Sequence, residues 1–119
     1  MTTSQVTTTT RPGELLLLRN DHLEVTVDPG YGAEIISITS PGSPVNALAH
    51  HDWITPARAR DGQRYPTDAQ DWLSNYRGGW QECFPNSGAE SSVAGTVTPF
   101  HGEVSTAAWQ VLKASATEA

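Results

Sequence analysis

The chain has 119 residues and a formal net charge of −6, with 37% hydrophobic and 17% charged residues. This length allows one domain with a modest core, and the hydrophobic content is too high for a disordered acidic chain. We expect no nucleic-acid partner and no membrane partner, because phosphate groups are bound by clustered basic residues and the arginines are scattered around one lysine, Lys113.

The N-terminal residues 1–13 are rich in threonine and predict a disordered leader that precedes one domain over residues 14–119. The leader has neither a basic start nor an apolar centre, so it lacks the form of a signal peptide, and we expect a cytoplasmic protein. Cys83 is the only cysteine, which excludes an intramolecular disulfide. We expect it to be a small buried thiol on a strand.

Three consecutive segments have the pattern of antiparallel strands. Residues 14–19 form a short apolar run between turn residues, which predicts a buried strand. Apolar and polar side chains alternate over residues 22–28, which predicts a half-buried strand, and the isoleucine-rich residues 33–40 predict the returning strand. Turn-forming residues at 28–32 separate the second strand from the third. Together these segments predict an antiparallel β-meander and an all-β fold.

The rest of the chain is less regular. Residues 45–76 have no sustained period and contain prolines, so we predict a long loop of the kind that forms a binding loop or a lid, with a short strand at 45–48 as an option. Further strands are predicted at residues 79–84 and 107–114. No amphipathic helix is expected.

The stretch most informative about function reads RGGWQECFPNSG at residues 77–88 and PFHGE at residues 99–103. Glycines, aromatic side chains and a single histidine in this combination are typical of a ligand pocket. In an extended segment, His101 and Glu103 project to the same face, so they either share a pocket or form a hydrogen-bonded surface pair. An imidazole can donate a hydrogen bond or a proton to a sugar oxygen, which makes His101 the candidate catalytic residue.

Four nearby side chains are candidates for substrate contacts. Arg77 offers a rigid fork of donors to a hydroxyl-rich or anionic ligand, or it is a solvated loop arginine. Trp80 and Trp109 could stack on a sugar ring, although tryptophans at strand positions belong to the core more often. Gln81 offers an amide group to a sugar hydroxyl.

A metal site is the other chemistry to consider, at His50-His51-Asp52. Adjacent histidines on an extended chain point to opposite sides, and no cysteine lies at a suitable spacing. The chain also has no glycine-rich phosphate loop. We therefore expect neither a metal nor another cofactor.

In their order and spacing, these motifs resemble the N-terminal part of the aldose 1-epimerase (galactose mutarotase-like) family, nearest to its less characterised aldose-epimerase-like branch. The resemblance covers most of residues 14–113 and rests on Gly32-Ala33-Glu34-Ile35, Arg77-Gly78-Gly79, Phe84-Pro85-x-x-Gly88, His101-Gly102 and Trp109. It implies an antiparallel β-sandwich, the mutarotase-like supersandwich, which is incomplete in this chain and binds a sugar in a cleft on one face.

The resemblance also implies roles for two residues. His101 matches the first of the family's two pocket histidines, which binds substrate near the ring oxygen. Arg77 matches an arginine that contacts sugar hydroxyls or, in the hexose-6-phosphate branch, a phosphate. In such enzymes a carboxylate takes the anomeric proton while a histidine protonates the ring oxygen, and the opened ring closes as the other anomer. The second histidine and the glutamate base have no counterpart here, and Glu103 is not that base.

Two functions follow from these expectations. The first is a carbohydrate mutarotase or epimerase of which this chain is the N-terminal portion, with a small-molecule sugar as its partner. The alternative is a non-catalytic or vestigial carbohydrate-binding β-module. In either case an unfinished sandwich has unpaired strand edges, through which we expect self-association.

Overall fold

A four-stranded antiparallel sheet is the main element of the computed structural model, which describes residues 5–7, 14–54 and 69–114. Its strands, hydrogen-bonded in chain order, are β1 (Gln5–Thr7), β2 (Leu16–Arg19), β3 (Glu24–Asp28) and β4 (Glu34–Thr39). The other elements are the helix α1 (Ala69–Asn75), a two-stranded sheet of β5 (Ser91–Val93) and β6 (Thr96–Thr98), and a 3-10 turn at Glu103–Ser105. The described part of the chain is therefore all-β in character, with antiparallel sheets and little helix.

The predicted β-meander is confirmed for β2, β3 and β4, whose ends lie within two residues of the expected ones. Local side chains close its first turn, where Asn20 Oδ1 accepts the backbone N–H groups of His22 at 2.8 Å and Leu23 at 2.9 Å. The segment predicted as a buried strand, β2, is only half-buried, like its neighbours. Nothing in the described residues covers the sheet completely on either face.

β1 lies within the segment for which a disordered leader is expected. It pairs antiparallel with residues 17–19 of β2. This pairing gives hydrogen-bond partners to backbone groups of β2 that would otherwise form an open edge. The other residues of the predicted leader lie outside the described part of the chain, and the disordered leader stays a prediction.

The long segment 45–76 contains a helix where none was expected. α1 has seven residues, about two helical turns, and its buried residues are Trp72 and Asn75. So short a helix with one buried aromatic side chain carries too little apolar periodicity to be recognised from sequence. No strand forms at residues 45–48.

The prediction of a strand at residues 79–84 is wrong. Trp80 exchanges two backbone hydrogen bonds with Ile35 of β4, at 2.9 and 3.0 Å, and this single bridge is not extended. Cys83 is consequently exposed and lies off any strand, contrary to the expected buried thiol. Partial desolvation, and then the charge of Glu82, raise the pKa of this thiol, which disfavours a reactive thiolate.

The strand predicted at residues 107–114 is also absent. Its backbone makes two contacts with the β3–β4 turn: Gly32 donates to the carbonyl of Ala107, and Trp109 donates to that of Pro29, both at 2.7 Å. An alternating sequence becomes a strand only where a neighbouring strand can pair with it. No such partner is present among the described residues.

Asn46 covers part of the outer edge of β4. Its Oδ1 accepts the backbone N–H groups of Ile38 and Leu48, both at 3.0 Å, and its Nδ2 donates to the carbonyl of Ile36 at 2.9 Å. The backbone of Ala47 adds a bond to the Ile38 carbonyl at 2.9 Å. One side chain thus replaces a neighbouring strand at this edge.

We expect Asn46→Ala to lower the free energy of unfolding by about 2 kcal/mol, because backbone groups of Ile36 and Ile38 lose their partners. Chemical denaturation would measure the loss. Asn46→Asp should also destabilise the protein, since it keeps the acceptor but sets a carboxylate oxygen against the carbonyl oxygen of Ile36. Val45→Ala is the control, because the Val45 side chain is exposed. Equal stability of Asn46→Ala and the control would contradict the role of Asn46 at the edge.

The buried interior of the described residues is small. Tyr31 and Trp72 are its buried hydrophobic side chains, while Glu34 is completely buried. A fully buried carboxylate requires partners that compensate its charge. Within the described residues, no helix has the length and apolar character needed to cross a membrane.

Candidate functional site

Arg77 occupies the centre of a partly buried ion-pair network. Its Nη2 contacts Asp28 Oδ2 at 3.0 Å and also donates to Glu34 Oε1. Only 18% of the Arg77 side chain is exposed. Burial alone would lower the pKa of Arg77, but the carboxylates of Glu34 and Asp28 outweigh this and raise it. Arg77 is therefore not the solvated loop arginine that the sequence left open.

Glu34 connects Arg77 to Gln81. Gln81 Nε2 donates to Glu34 Oε2 at 2.7 Å and to the carbonyl of Gly78 at 3.0 Å, which uses both of its amide hydrogens. Both oxygens of the buried Glu34 carboxylate are thus hydrogen-bonded. The structure brings the predicted residues Arg77 and Gln81 together, and the Gln81 carbonyl oxygen takes part in none of the hydrogen bonds of the described residues.

His50 lies beside this network. Its backbone bridges to Gly78, and the next residue, His51, donates to the carbonyl of Arg77 at 2.7 Å. Partial burial and then the charge of Arg77 lower the pKa of His50, against smaller opposing effects of Glu34 and Asp52. The imidazole is therefore neutral at neutral pH. Its Nε2 is buried and has no hydrogen-bond partner among the described residues.

His101 is held by two hydrogen bonds with the backbone of Gly88 and by contacts with two aromatic rings. Gly88 donates its N–H to His101 Nδ1 at 2.9 Å, and the N–H of His101 donates to the Gly88 carbonyl at 2.8 Å. The ring centroids of Phe100 and Trp72 lie 4.0 and 4.6 Å from that of His101. Because Nδ1 is an acceptor, the proton of the neutral ring sits on Nε2, which is left as a donor.

The backbone of His101 is in the left-handed region, with φ of 60°. A residue with a side chain pays about 1–2 kcal/mol for this conformation, so the surrounding contacts must hold it there. Residues in this conformation cluster at active sites and ligand-binding loops, although Ala33 and Ala94 also adopt it here.

The expected pairing of His101 with Glu103 rests on an extended segment, and that premise is wrong. Positive φ angles at His101 and Gly102 turn the chain, and Glu103 begins the 3-10 turn that ends at Ser105. Glu103 is exposed, and its side chain makes no hydrogen bond within the described residues. The two side chains therefore do not alternate along a strand, and the structure places Glu103 in solvent.

Neither candidate tryptophan belongs to the core. Trp80 is 55% exposed and Trp109 is 45% exposed, and neither lies in a strand. Trp109 Nε1 donates to the carbonyl of Val104 at 3.1 Å, which fixes its ring. The Trp80 backbone pairs with Ile35, and its exposed ring is accessible for stacking.

Gly79 and Gly102 of the motifs allow close approaches of the backbone, whereas a Cβ at Gly88 would meet no atom within 4 Å. A Cβ at Gly79 would lie 2.6 Å from the carbonyl oxygen of Ile35, and one at Gly102 would lie 2.9 Å from the amide nitrogen of Phe84. Distances under 3 Å are too short for a side chain. Gly102 therefore fits His101 against the Phe84 segment, and Gly79 fits Arg77 against β4.

α1 links the two groups of candidate residues. Trp72 stacks on Tyr76, the neighbour of Arg77 in the chain, with 4.7 Å between ring centroids, and it meets His101 edge-on. The indole Nε1 of Trp72 is buried and lacks a hydrogen-bond partner in the described ranges.

Sequence reasoning missed Glu34, Asp28 and Trp72 as parts of the site. A signal existed for Glu34, since a carboxylate at the start of an isoleucine-rich strand has to find a compensating partner if it is buried. Trp72 had no comparable signal, because its contacts depend on the path of the loop.

Among the described residues, no three histidine, cysteine, aspartate or glutamate side chains are arranged to share a metal ion. Comparison of the chain with protein families, with curated proteins and with solved structures finds no match. The resemblance to the aldose 1-epimerase family therefore stays a prediction from the motifs.

Proposed function

We propose that this chain is the N-terminal part of a carbohydrate mutarotase or epimerase of the aldose 1-epimerase type, built as an antiparallel β-sandwich. Its substrate would be a small sugar, bound between the Arg77 network and His101. The observation that carries the proposal is the state of His101: a strained backbone, a ring fixed by Gly88, and an Nε2–H donor. Such a donor suits the ring oxygen of a sugar, whose protonation accompanies ring opening.

The roles of the other residues follow from their contacts. Arg77 and the carbonyl oxygen of Gln81 would bind sugar hydroxyls, as a donor and an acceptor that Glu34 holds in place. The exposed ring of Trp80 would stack on the apolar face of the sugar. Glu103, although it belongs to the predicted set, would contribute at most a contact at the rim.

The second candidate is a non-catalytic carbohydrate-binding module. It is favoured by the surroundings of His101, whose ring contacts in the described residues are aromatic and whose one hydrogen bond goes to a backbone amide. The glutamate that takes the anomeric proton in the resembling family also has no counterpart in this chain. Anomer exchange above the buffer rate would contradict this function.

The test combines sugar binding with anomer exchange. The purified chain is titrated with D-glucose and D-galactose by calorimetry, and exchange between the α and β anomers is followed by NMR saturation transfer. We expect His101→Asn to abolish binding or reduce exchange by about 10²–10⁴-fold. Asparagine tolerates positive φ, and its Oδ1 can accept the Gly88 amide, so this variant removes Nε2 while it keeps the fold.

His22→Asn is the matched control, because His22 is exposed in the β2–β3 turn. It should leave binding and exchange unchanged. Exchange faster than the buffer rate would support the epimerase and contradict the module. Binding without exchange would support a sugar site and show that this chain alone does not catalyse. Absence of both binding and exchange in a folded wild-type chain would overturn both functions.

A further inference from the structure

The charges around Arg77 do not balance. One guanidinium faces two carboxylates, Asp28 and Glu34, through the same Nη2 atom. Gln81 is neutral, and the pKa of His50 is lowered, so His50 adds no positive charge at neutral pH. The group formed by Arg77, Asp28, Glu34, Gln81 and His50 therefore carries a net charge of about −1, although it contains an arginine.

The two carboxylates are fixed parts of the fold. Glu34 is completely buried, with both oxygens bonded, and Asp28 Oδ1 also accepts the N–H of Gly30 at 3.0 Å. An incoming anion cannot displace them from Arg77. The donors of Arg77 left for a ligand are the N–H groups of Nη1, which has no partner among the described residues, because Nε, although it also lacks a partner, is buried. A ligand at these donors lies within a few ångströms of both carboxylates.

This arrangement distinguishes ligands by charge. A sugar hydroxyl can accept a hydrogen bond from Arg77 without any charge of its own. A phosphate group at the same donors is attracted by one positive charge and repelled by two negative ones, which are partly shielded from water by burial. Such a repulsion lowers the affinity for phosphorylated ligands relative to that for neutral sugars.

We propose that Glu34 and Asp28 are specificity-determining residues, which orient Arg77 for a neutral polyhydroxy ligand and exclude phosphorylated ligands from it. The inference rests on the proposed function, because it assigns the substrate class of the same site. If the inference is right, an arginine at this position is not sufficient to bind an anion, because Glu34 and Asp28 surround it.

The experiment compares three probes that differ in charge: D-glucose, glucose 6-phosphate and inorganic phosphate. Dissociation constants are measured by calorimetry on the purified chain, at constant ionic strength. For the wild type we expect glucose 6-phosphate to bind at least about tenfold more weakly than glucose, and phosphate not to bind. Asp28→Asn, the more exposed substitution, should shift the ratio of the two sugar constants by about tenfold toward glucose 6-phosphate and allow phosphate to bind.

Glu34→Gln is the second variant, in case Asp28→Asn disturbs the turn at Gly30, and it should shift the ratio in the same direction. Glu24→Gln is the control, since it removes the same charge from the Arg19–Glu24 pair on β2 and β3. It should leave the ratio unchanged. Equal shifts in all three variants would show a general charge effect and overturn the proposal.

The outcomes separate this inference from the proposed function. Binding of glucose with an unchanged ratio in Asp28→Asn and Glu34→Gln overturns the specificity role and leaves the proposed function intact. Gain of phosphate binding by these variants, without glucose binding by any form, supports the role of the carboxylates and removes the sugar site. Tight binding of phosphate by the wild type overturns the inference directly.

Discussion

Gly102→Ala is expected to lower the free energy of unfolding by about 3–5 kcal/mol. The added Cβ would collide with the backbone carbonyl of Phe84 and lie 2.9 Å from its amide nitrogen. The backbone at Gly102, with φ of 76°, also disfavours any side chain. Both sides of the contact are backbone atoms, so neither can move away by a change of side-chain rotamer. Chemical denaturation, followed by tryptophan fluorescence, would measure the loss.

Gly42→Ala separates the two causes of this effect. Gly42 has φ of 78°, but a Cβ there would meet no atom within 4 Å. Gly42→Ala should therefore lower the free energy of unfolding only by the cost of the left-handed conformation, about 1–2 kcal/mol. If Gly42→Ala and Gly102→Ala destabilise the protein equally, the close approach of the His101 and Phe84 segments is not the dominant cause.

Glu34→Ala is the second substitution with a large expected effect, a loss of about 3 kcal/mol or more. It removes the buried carboxylate that bonds both Arg77 and Gln81, and it leaves Arg77 with Asp28 as its remaining ion-pair partner. Glu24→Ala is the matched control. Its partner Arg19 is 52% exposed, and solvent-exposed ion pairs contribute about 1 kcal/mol or less.

A double-mutant cycle tests whether Glu34 and Arg77 act as a pair. If they do, Glu34→Ala combined with Arg77→Ala should destabilise the protein by less than the sum of the single losses, with a coupling energy of about 1–3 kcal/mol. Additive losses, measured by denaturation, would mean that the pair contributes through packing alone.

The strands of the meander could be predicted because their signals are local. Apolar and polar residues alternate over β3, and Asn20 and Asp28 close turns through hydrogen bonds to backbone groups two or three residues away. The predictions at residues 79–84 and 107–114 were wrong although they used the same kind of pattern. A strand there depends on a partner edge, which no pattern within the segment can supply.

The candidate site divides in the same way. The motif placed Arg77, Gln81 and His101 in a small part of the sequence, and the structure brings Arg77 and Gln81 into one network. The motif could not connect Arg77 to Glu34, which lies 43 residues before it, or to Asp28, which lies 49 residues before it. The carboxylate of Glu34 on an isoleucine-rich strand was a signal for a buried ion pair, but it did not name the partner. Glu103 was misplaced because the positive φ of His101 follows from contacts with Gly88 and the Phe84 segment.

By itself, the sequence determined the antiparallel meander, the acidic charge and the residue types of the candidate site, because these depend on composition and on neighbours along the chain. The tertiary structure alone decided the surroundings of Arg77 and the turn at His101. The buried carboxylate of Glu34 makes Arg77 the centre of an ion-pair network. The close approach of Gly102 to Phe84 fixes the backbone turn that orients the imidazole of His101. Both effects come from contacts between distant segments, whose energy exists only after the chain has closed the loops between them.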